Sequence, residues 1–303
     1  MGERAGNLHR LAVEVARERD RYTADVTALA FVLLLLFASI GAGFLGALTG
    51  LGGGVVIVPL LVLLFGVDLR YAVGASLVAV IATSSGAAAA YVREGYTNIR
   101  VGILLEVATV TGAIVGAIVA ALVSKNFIAI VFVMALFWSA YSTLRPPKPL
   151  PPDQEPDAIS KKFRLDSTYP TKEGVVAYKV HHVPIGGVLM FGAGMLSALV
   201  GVGSGIVKVF AMDRMMRLPF KVSTTTSNFM IGVTAAASAG VYLQRGQIEP
   251  AIAAPVALGA LGGSLVGARV LPRIHTKALR WVFAVVVVFA GLELLRRVLG
   301  GTL

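Results

Sequence analysis

The stretch Gly50-Leu51-Gly52-Gly53-Gly54 interrupts a long apolar run, and Gly201-Val202-Gly203-Ser204-Gly205 does the same 151 residues later. Each cluster follows an apolar stretch long enough to cross a bilayer. Each precedes an apolar stretch, Val55 to Phe65 or Ile206 to Met212, that is too short to cross alone. Glycine interrupts a helix because it lacks a Cβ and adopts left-handed backbone angles at little cost. The sequence therefore predicts two broken helices in equivalent places.

The composition predicts that lipid is the solvent of this chain. Of its 303 residues 56% are hydrophobic and only 14% are charged, and the mean hydropathy is +0.81. Soluble proteins carry about 25% charged residues. Continuous uncharged runs, rather than alternating ones, indicate helices instead of a barrel. We predict an all-α polytopic membrane protein, with uncharged runs at Val26 to Leu48, Ala72 to Val92, Val107 to Ser124, Phe127 to Leu144, Val222 to Leu243, Ala251 to Ala268 and Trp281 to Leu292.

The chain matches itself at an offset of 151 residues. Besides the glycine clusters, this single register pairs Ser76 with Ser227, Thr83 with Thr234, Tyr91 with Tyr242, Gly95 with Gly246, Gly112 with Gly263 and Gly116 with Gly267. One ungapped register over so long a span predicts two homologous helical repeats with discontinuous or re-entrant helices at the glycine breaks. For the last two glycine pairs we expect close helix packing rather than ligand binding.

Four segments follow from these features. We predict an N-terminal cytoplasmic segment (1–25), a first transmembrane repeat (26–144), a polar connector (145–183) and a second transmembrane repeat (184–303). The connector opens with five prolines, carries seven Lys or Arg, and offers a β-hairpin between Phe163 and Val180. Basic loops indicate the cytoplasmic side. The sequence leaves open whether each half makes four crossings with a short re-entrant segment, or five with inverted halves.

The charges and the absence of cysteine exclude several functions. The formal charge of +11 fits contacts with anionic lipid headgroups, because no motif for nucleic-acid binding accompanies it. A chain without cysteine has neither disulfides nor thiolate metal sites. No paired carboxylates, His-x-x-Glu motif or nucleophile elbow occurs, so we predict that the protein is not an enzyme and needs no cofactor or metal. A homo-oligomer is left open.

Polar residues near the breaks are candidates for binding a small anion. Lys208 follows the second break, and a Lys in such a stretch is costly unless it faces a cavity or a partner. The other readings are that Lys208 snorkels to the interface or that Asp213 neutralises it. Hydroxyl and amide donors on the following helix can hold an oxyanion, although Ser and Thr also bond their own helix. Glu106, in a membrane-length run, is a candidate for proton coupling or for a helix end.

The motifs resemble those of the TauE/SafE sulfite exporter family. The resemblance rests on the paired Gly-x-Gly-Gly/Ser-Gly breaks, on Val55-Val-Ile-Val-Pro59, on Ala75-Ser76 and Thr226-Ser-Asn228, and on the Tyr-x-x-x-Gly and Gly-x-x-x-Gly-Ala endings. It covers about Val26 to Leu299. It implies a multi-pass permease of a prokaryotic cytoplasmic membrane that moves sulfite or small organosulfonates, usually outward. Ser204 departs from the family pattern, which has Gly at that position more often.

The residues and the resemblance together predict a secondary transporter that works by alternating access. Its partners are a small anion and the lipid bilayer. The alternatives are a transporter or channel for another small anion, such as a carboxylate, and a membrane scaffold or sensor. We expect the substrate site near the membrane midplane, at Gly50, Gly52, Gly53, Gly54, Ser76, Gly201, Gly203, Ser204, Gly205, Lys208, Thr226, Ser227 and Asn228, with Glu106 as the candidate proton carrier.

Overall fold

The structure is a computed structural model that describes residues 27–46, 53–93, 95–144, 157–171, 174–201, 203–270 and 276–300. The N-terminal segment, Gly50, Gly52 and the Pro-rich part of the connector lie outside the described residues. Before the connector the helices are α1 (Thr27–Gly46), α2 (Gly54–Leu64), α3 (Leu69–Arg93), α4 (Ile99–Leu122) and α5 (Lys125–Leu144).

The connector and the second half contain the remaining elements. The connector forms a short helix α6 (Ala158–Phe163) and two antiparallel strands, β1 (Ser167–Thr171) and β2 (Gly174–Tyr178), where the sequence offered a hairpin. The second half forms α7 (Val183–Val200), α8 (Gly205–Phe210) with a π-helical turn (Ala211–Met215), α9 (Phe220–Gln244), α10 (Pro250–Val270) and α11 (Thr276–Leu299).

The helices have the length and composition of membrane spans. Within the described residues, α1, α3, α4, α7 and α10 contain apolar segments of at least 18 residues, which suffice to cross a bilayer. Large apolar side chains point outward, among them Phe37, Val107 and Phe289, which are between 65% and 70% exposed. Such a surface is stable against lipid and not against water. The fold is therefore that of an all-α membrane protein.

Glycines set the distance between neighbouring helices. α4 packs on α7, where a Cβ at Gly112 would overlap the carbonyl oxygen of Phe191. In the same way, α10 lies against α1, where a Cβ at Gly263 would overlap the carbonyl oxygen of Ile40. A Cβ at Gly116 would also meet backbone atoms of α7. The packing role predicted for these glycines follows directly from this geometry.

α3 crosses α9, and α5 packs on α11. At the crossing, Gly232 of α9 lies against the hydroxyl of Ser84 in α3. Most polar side chains in the middle of α9 are buried, including Ser227, Thr234 and Ser238. The polar interior of the protein is thus concentrated where these two helices meet.

The connector is attached to the start of α7 by carboxylates. Asp157 accepts a hydrogen bond from the backbone N–H of Val183 at 2.8 Å. Asp166 accepts hydrogen bonds from the backbone N–H of Val180 at 2.8 Å and from the hydroxyl of Ser160 at 3.0 Å. Because carboxylates before the hairpin accept from backbone N–H groups after it, these bonds hold the two ends of the hairpin together beside the start of α7.

An ion pair joins the loop before α3 to the first residue of α5. Lys125 donates to Asp68, which also accepts a hydrogen bond from the backbone N–H of Arg70. Partial burial acts to raise the pKa of Asp68, but these hydrogen bonds and the charges of Lys125 and Arg70 outweigh it, so the pKa lies below its ordinary value. Both side chains remain about a third or more exposed, so the pair stabilises the fold by about 1 kcal/mol at most.

Two neighbouring glycines of α10 provide a test of this packing. Replacing Gly263 by Ala places a methyl group on the carbonyl oxygen of Ile40, and we expect a loss of roughly 1–3 kcal/mol. The control is Gly262→Ala, because a Cβ at Gly262 meets no atom within 4 Å. In a helix that change is neutral or stabilising by about 1 kcal/mol. Thermal unfolding in detergent measures both, and equal melting temperatures would contradict the proposed α1–α10 contact.

Candidate functional site

The second glycine cluster separates α7 from α8 through left-handed backbone. Gly201 has φ = 70°, Gly203 has φ = 75° and Ser204 has φ = 48°. The two glycines adopt these angles without strain, whereas a residue with a Cβ pays roughly 1–2 kcal/mol there. Ser204 therefore holds a conformation that Gly would adopt more easily. The glycine content of the cluster predicted the break between α7 and α8, and the positive φ angles of these residues produce it.

The first cluster has the same local geometry where the structure describes it. Gly53 has φ = 73°, and its carbonyl oxygen accepts hydrogen bonds from Val56 and Ile57 at 3.0 and 3.1 Å. α2 begins at Gly54 and is 11 residues long. Gly50 and Gly52 were predicted to bind substrate, and they lie outside the described residues.

The second cluster is buried between α3 and α9. A Cβ at Gly203 would lie 2.8 Å from Ile231 of α9 and 3.2 Å from Val80 of α3. The hydroxyl of Ser76 donates to the carbonyl oxygen of Gly201 at 2.7 Å, and that of Ser227 donates to Gly205 at 3.3 Å. Ser76 and Ser227 thus bring α3 and α9 onto the same backbone break.

A buried chain of three side chains lies one helical turn beyond this break. The ammonium group of Lys208, in α8, donates to the hydroxyl of Thr234 in α9 at 2.6 Å. The Thr234 hydroxyl in turn donates to Oε1 of Glu106 in α4 at 2.6 Å. Lys208 and Thr234 are 0% exposed and Glu106 is 8% exposed. We call these residues the Lys208–Thr234–Glu106 chain.

This arrangement decides between the readings of Lys208. Its side chain does not snorkel, because it is 0% exposed. Asp213 does not neutralise it, because Asp213 pairs with Arg214 at 3.6 Å, whereas the carboxylate that acts on Lys208 is Glu106. Glu106 lies in the interior of α4 rather than at its end. The sequence analysis singled out Lys208 and Glu106 as ionisable residues in apolar runs, but it did not predict that Thr234 joins them.

The hydrogen bonds of this chain are incomplete. Oε2 of Glu106 is buried and has no hydrogen-bond partner among the described residues. The ammonium of Lys208 carries three N–H donors, and within the described chain its hydrogen bond is the one to Thr234. Buried ions are costly unless their remaining donors and acceptors are satisfied. The site therefore has capacity left for a proton on the carboxylate and for an anion on the ammonium.

The remaining predicted residues lie in two different surroundings. Thr226 accepts a hydrogen bond from the backbone N–H of Asn98 at 3.0 Å, at the connector end of α9. Asn228 is 5% exposed, and no hydrogen bond joins its side chain to another described residue. Thr226 thus has a structural partner, while the Asn228 amide is the more available of the two. Whether either binds substrate stays a prediction.

Asn98 was not predicted, and it joins four parts of the protein. Its Nδ2 donates to the carbonyl oxygen of Leu165 and to the hydroxyl of Tyr178, each at 2.8 Å, and its Oδ1 caps α4 at Val101. Burial raises the pKa of the Tyr178 phenol, so that group stays neutral and can accept this bond. The only signal in the sequence was an N-cap residue before an apolar run.

Ser204 lines a largely apolar cavity of about 330 Å³ on the outer side of the break. Its hydroxyl is buried and has no hydrogen-bond partner within the described residues. The other walls come from α5, α7 and α8, and the rim residues Met134 and Trp138 are exposed. The cavity therefore opens toward the lipid-facing surface. The part of the chain that the structure describes holds no cluster of three His, Cys, Asp or Glu suited to a metal ion.

Apolar helices long enough to span a bilayer, around a buried and partly unsatisfied charge pair, define a helical membrane protein with an ionisable site in its interior. The family model for the sulfite exporter TauE/SafE matches residues 35–294, so the chain belongs to this family. It is 27% identical over 274 residues to the "Probable membrane transporter protein YunE" of Bacillus subtilis (strain 168). That alignment covers 88% of this chain and 98% of the relative.

A second relative from the same organism extends the comparison. The "Probable membrane transporter protein YdhB" of Bacillus subtilis (strain 168) is 24% identical over 251 residues, which cover 82% of this chain and 93% of the relative. No solved structure matches the chain. The family and both relatives are named as membrane transporters, and none of these names describes an enzyme.

The charge pair gives a prediction about stability. Replacing Lys208 by Met leaves Glu106 buried without its counter-charge, and replacing Glu106 by Gln leaves Lys208 in the same state. We expect each single change to destabilise the protein by about 3 kcal/mol or more. The double variant removes both charges and should recover most of that loss.

The measurement is thermal unfolding of the four proteins in one detergent at neutral pH. The matched control is Ser238→Ala, because Ser238 is buried one turn along α9 and donates only to the Thr234 carbonyl oxygen. Additive losses in the double variant would mean that the two charges do not stabilise each other.

Proposed function

We propose that the protein is a secondary transporter, working as an exporter, for small sulfur-containing oxyanions such as sulfite or organosulfonates. It acts by alternating access in the cytoplasmic membrane of a prokaryotic cell. The observation that carries this proposal is Lys208, a lysine that is 0% exposed and lies one turn beyond a backbone break in a helical membrane protein. A buried cation in a membrane protein marks a site for an ion or substrate.

Matching helix bounds support the two proposed repeats. α3 runs from 69 to 93 and α9 from 220 to 244, so both bounds differ by 151 residues. The same offset relates the first residues of α2 and α8 (54 and 205), of α4 and α10 (99 and 250) and of α5 and α11 (125 and 276). Val80 and Ile231, which are equivalent at this offset, both approach Gly203. These relations favour a pseudo-symmetric interior with discontinuous helices at the breaks.

The polar groups around the second break suit a small oxyanion. Lys208 supplies the positive charge and Asn228 an amide donor, and both are buried. Ser204 adds a buried hydroxyl without a partner among the described residues, on the neighbouring cavity. Ser76 and Ser227 use their hydroxyl protons on the carbonyl oxygens of the break, so they shape the site rather than offer those protons. A tetrahedral or pyramidal oxyanion can accept from several such donors at once.

The family name supports sulfur oxyanions over other anions, and the side chains alone suit a carboxylate equally well. A competition panel in proteoliposomes separates these two candidates. Uphill flux driven by a proton gradient would exclude a channel. Solute flux by the purified protein would exclude a scaffold or sensor without transport activity.

Binding of sulfite to purified protein tests the proposal. We expect Lys208→Ala to weaken binding at least about 10-fold, because it removes the counter-charge, and Asn228→Ala to weaken it about 5-fold through one lost donor. The readout is the rise in melting temperature with sulfite concentration, since a ligand that binds only the native state stabilises it.

The matched control is Lys221→Ala, which removes a lysine from the start of α9, where it stacks on Tyr96 away from the break. It should leave sulfite binding at the wild-type value. Equal affinity in wild type, Lys208→Ala and Asn228→Ala would remove both residues from the substrate site.

A further inference from the structure

We propose that the Lys208–Thr234–Glu106 chain is a proton-binding site that couples one proton to each monovalent anion. The inference rests on the proposed anion transport and adds its coupling ion. The three residues come from three elements, α8, α9 and α4, and are joined by two hydrogen bonds of 2.6 Å. The proton acceptor is Glu106, whose buried Oε2 has no partner among the described residues.

Charge balance makes the coupling obligatory. With neither ligand bound, Lys208 and Glu106 carry opposite charges and the site is neutral. With an anion on Lys208 and a proton on Glu106, the site is neutral again. An anion alone would leave a net negative charge and a proton alone a net positive one, and burying an uncompensated ion is strongly unfavourable. The protein can therefore change between its inward-open and outward-open conformations at low cost only when the site is empty or when it holds both the anion and the proton.

Thr234 links the two events. Its single hydroxyl proton lies within hydrogen-bonding distance of two acceptors, Oε1 of Glu106 at 2.6 Å and the carbonyl oxygen of Met230 at 3.0 Å. While Glu106 is ionised, Thr234 donates to it and accepts from Lys208, which holds the lysine toward the carboxylate. When Glu106 takes up a proton, Thr234 donates to Met230 instead. The Lys208 ammonium then loses its counter-charge and is available to an anion.

Among the described residues, the charges of Lys208 and Glu106 interact with each other and not with other titratable side chains. α7, which packs on both α4 and α8, contains no titratable side chain. Lys208 is the one charge that acts on Glu106 within the described residues, and Glu106 the one that acts on Lys208. The remaining titratable groups of the adjoining described elements lie toward element ends or pair elsewhere: Arg70, Tyr71, Arg100, Asp213, Arg214, Lys221 and Tyr242.

Coupling of this kind is electroneutral for a monovalent anion. Flux is then insensitive to membrane potential and follows the combined gradients of anion and proton. Export takes place when the outward anion gradient exceeds the inward proton gradient. Proton binding is a simple association with the Glu106 carboxylate to give the carboxylic acid, and the proton is released on the other side with the anion.

The test uses the full-length protein in proteoliposomes that enclose a pH-sensitive dye, with methanesulfonate as the anion because it stays ionised at neutral pH. For wild type we expect acidification of the lumen with about one proton per labelled methanesulfonate taken up, unaffected by membrane potential. Binding should tighten by up to about tenfold per pH unit as pH falls through the range in which Glu106 titrates. Labelled uptake without proton movement would overturn the proposal.

Three variants test whether Glu106 is the residue that binds the proton. Glu106→Gln should bind methanesulfonate with an affinity that no longer changes with pH. Because its empty state leaves the charge of Lys208 uncompensated, it should exchange labelled for unlabelled methanesulfonate without proton movement and show no net uptake. Thr234→Val keeps both charges and removes the link, so the midpoint of the pH profile should shift. Ser238→Ala should match wild type in both measurements. A Glu106→Gln variant that acidifies the lumen like wild type would exclude Glu106 as the proton site.

A spectroscopic measurement separates this proposal from the transport proposal. On acidification, infrared difference spectra of wild type should gain a carboxylic-acid C=O band that Glu106→Gln lacks, whether or not methanesulfonate is transported. This band without any flux of methanesulfonate or sulfite would overturn the proposed function and leave the proton site intact. Flux without this band would overturn the proton site alone. If Glu106→Gln does not fold, Thr234→Val should shift the pH at which the band appears, and an unshifted band would count against the link.

Discussion

Backbone groups released by a broken helix need partners inside the protein, because lipid offers none. Around the second break the partners are side-chain hydroxyls from α3 and α9. Tyr242 donates to the carbonyl oxygen of Ala198 at 2.9 Å, Ser76 to that of Gly201 at 2.7 Å, and Ser227 to that of Gly205. These three bonds hold the end of α7 and the start of α8 against the central helices. Removing them would leave buried carbonyl oxygens unsatisfied, so the break and the α3–α9 crossing depend on each other.

The same arrangement brings charged residues into the interior. α8 starts at the break, and Lys208 lies three residues after its first residue, Gly205. From this position the Lys208 side chain reaches α9 rather than lipid. α4 packs against both α7 and α9, which places Glu106 on the other side of Thr234. A lysine and a glutamate that would each be prohibitively costly alone thus share one hydroxyl between them. The helix break is the structural reason that a charge pair can exist here.

Much of this fold could be predicted from the sequence, because hydropathy and glycine act locally. The bounds of α2, α5 and α10 fall within two residues of the apolar runs that predicted them. Lys208 and Glu106 were recognised because an ionisable residue in a membrane-length run is unusual. Their connection was not predictable, since it depends on how α4 packs against α9, and no local pattern encodes that contact. Asn98 was missed for the same reason, as its partners are 67 and 80 residues away.

Under the proposed duplication, the helices of the two halves correspond, but the ionisable residues near the second break have no counterparts in the other half. The position equivalent to Lys208 is Ile57, which is 0% exposed, and the position equivalent to Glu106 is Ala257. Thr83, the counterpart of Thr234, donates to the carbonyl oxygen of Val80 in its own helix. Among the described residues, the Lys208–Thr234–Glu106 chain therefore has its acid in the first half and its base in the second, with no equivalent at the offset of 151 residues. A movement that displaces α4 from α8 and α9 would separate these charges, and this costs least when a proton and an anion have already neutralised them. Under the proposed function, the asymmetry would tie the energetics of alternating access to the occupancy of a single site.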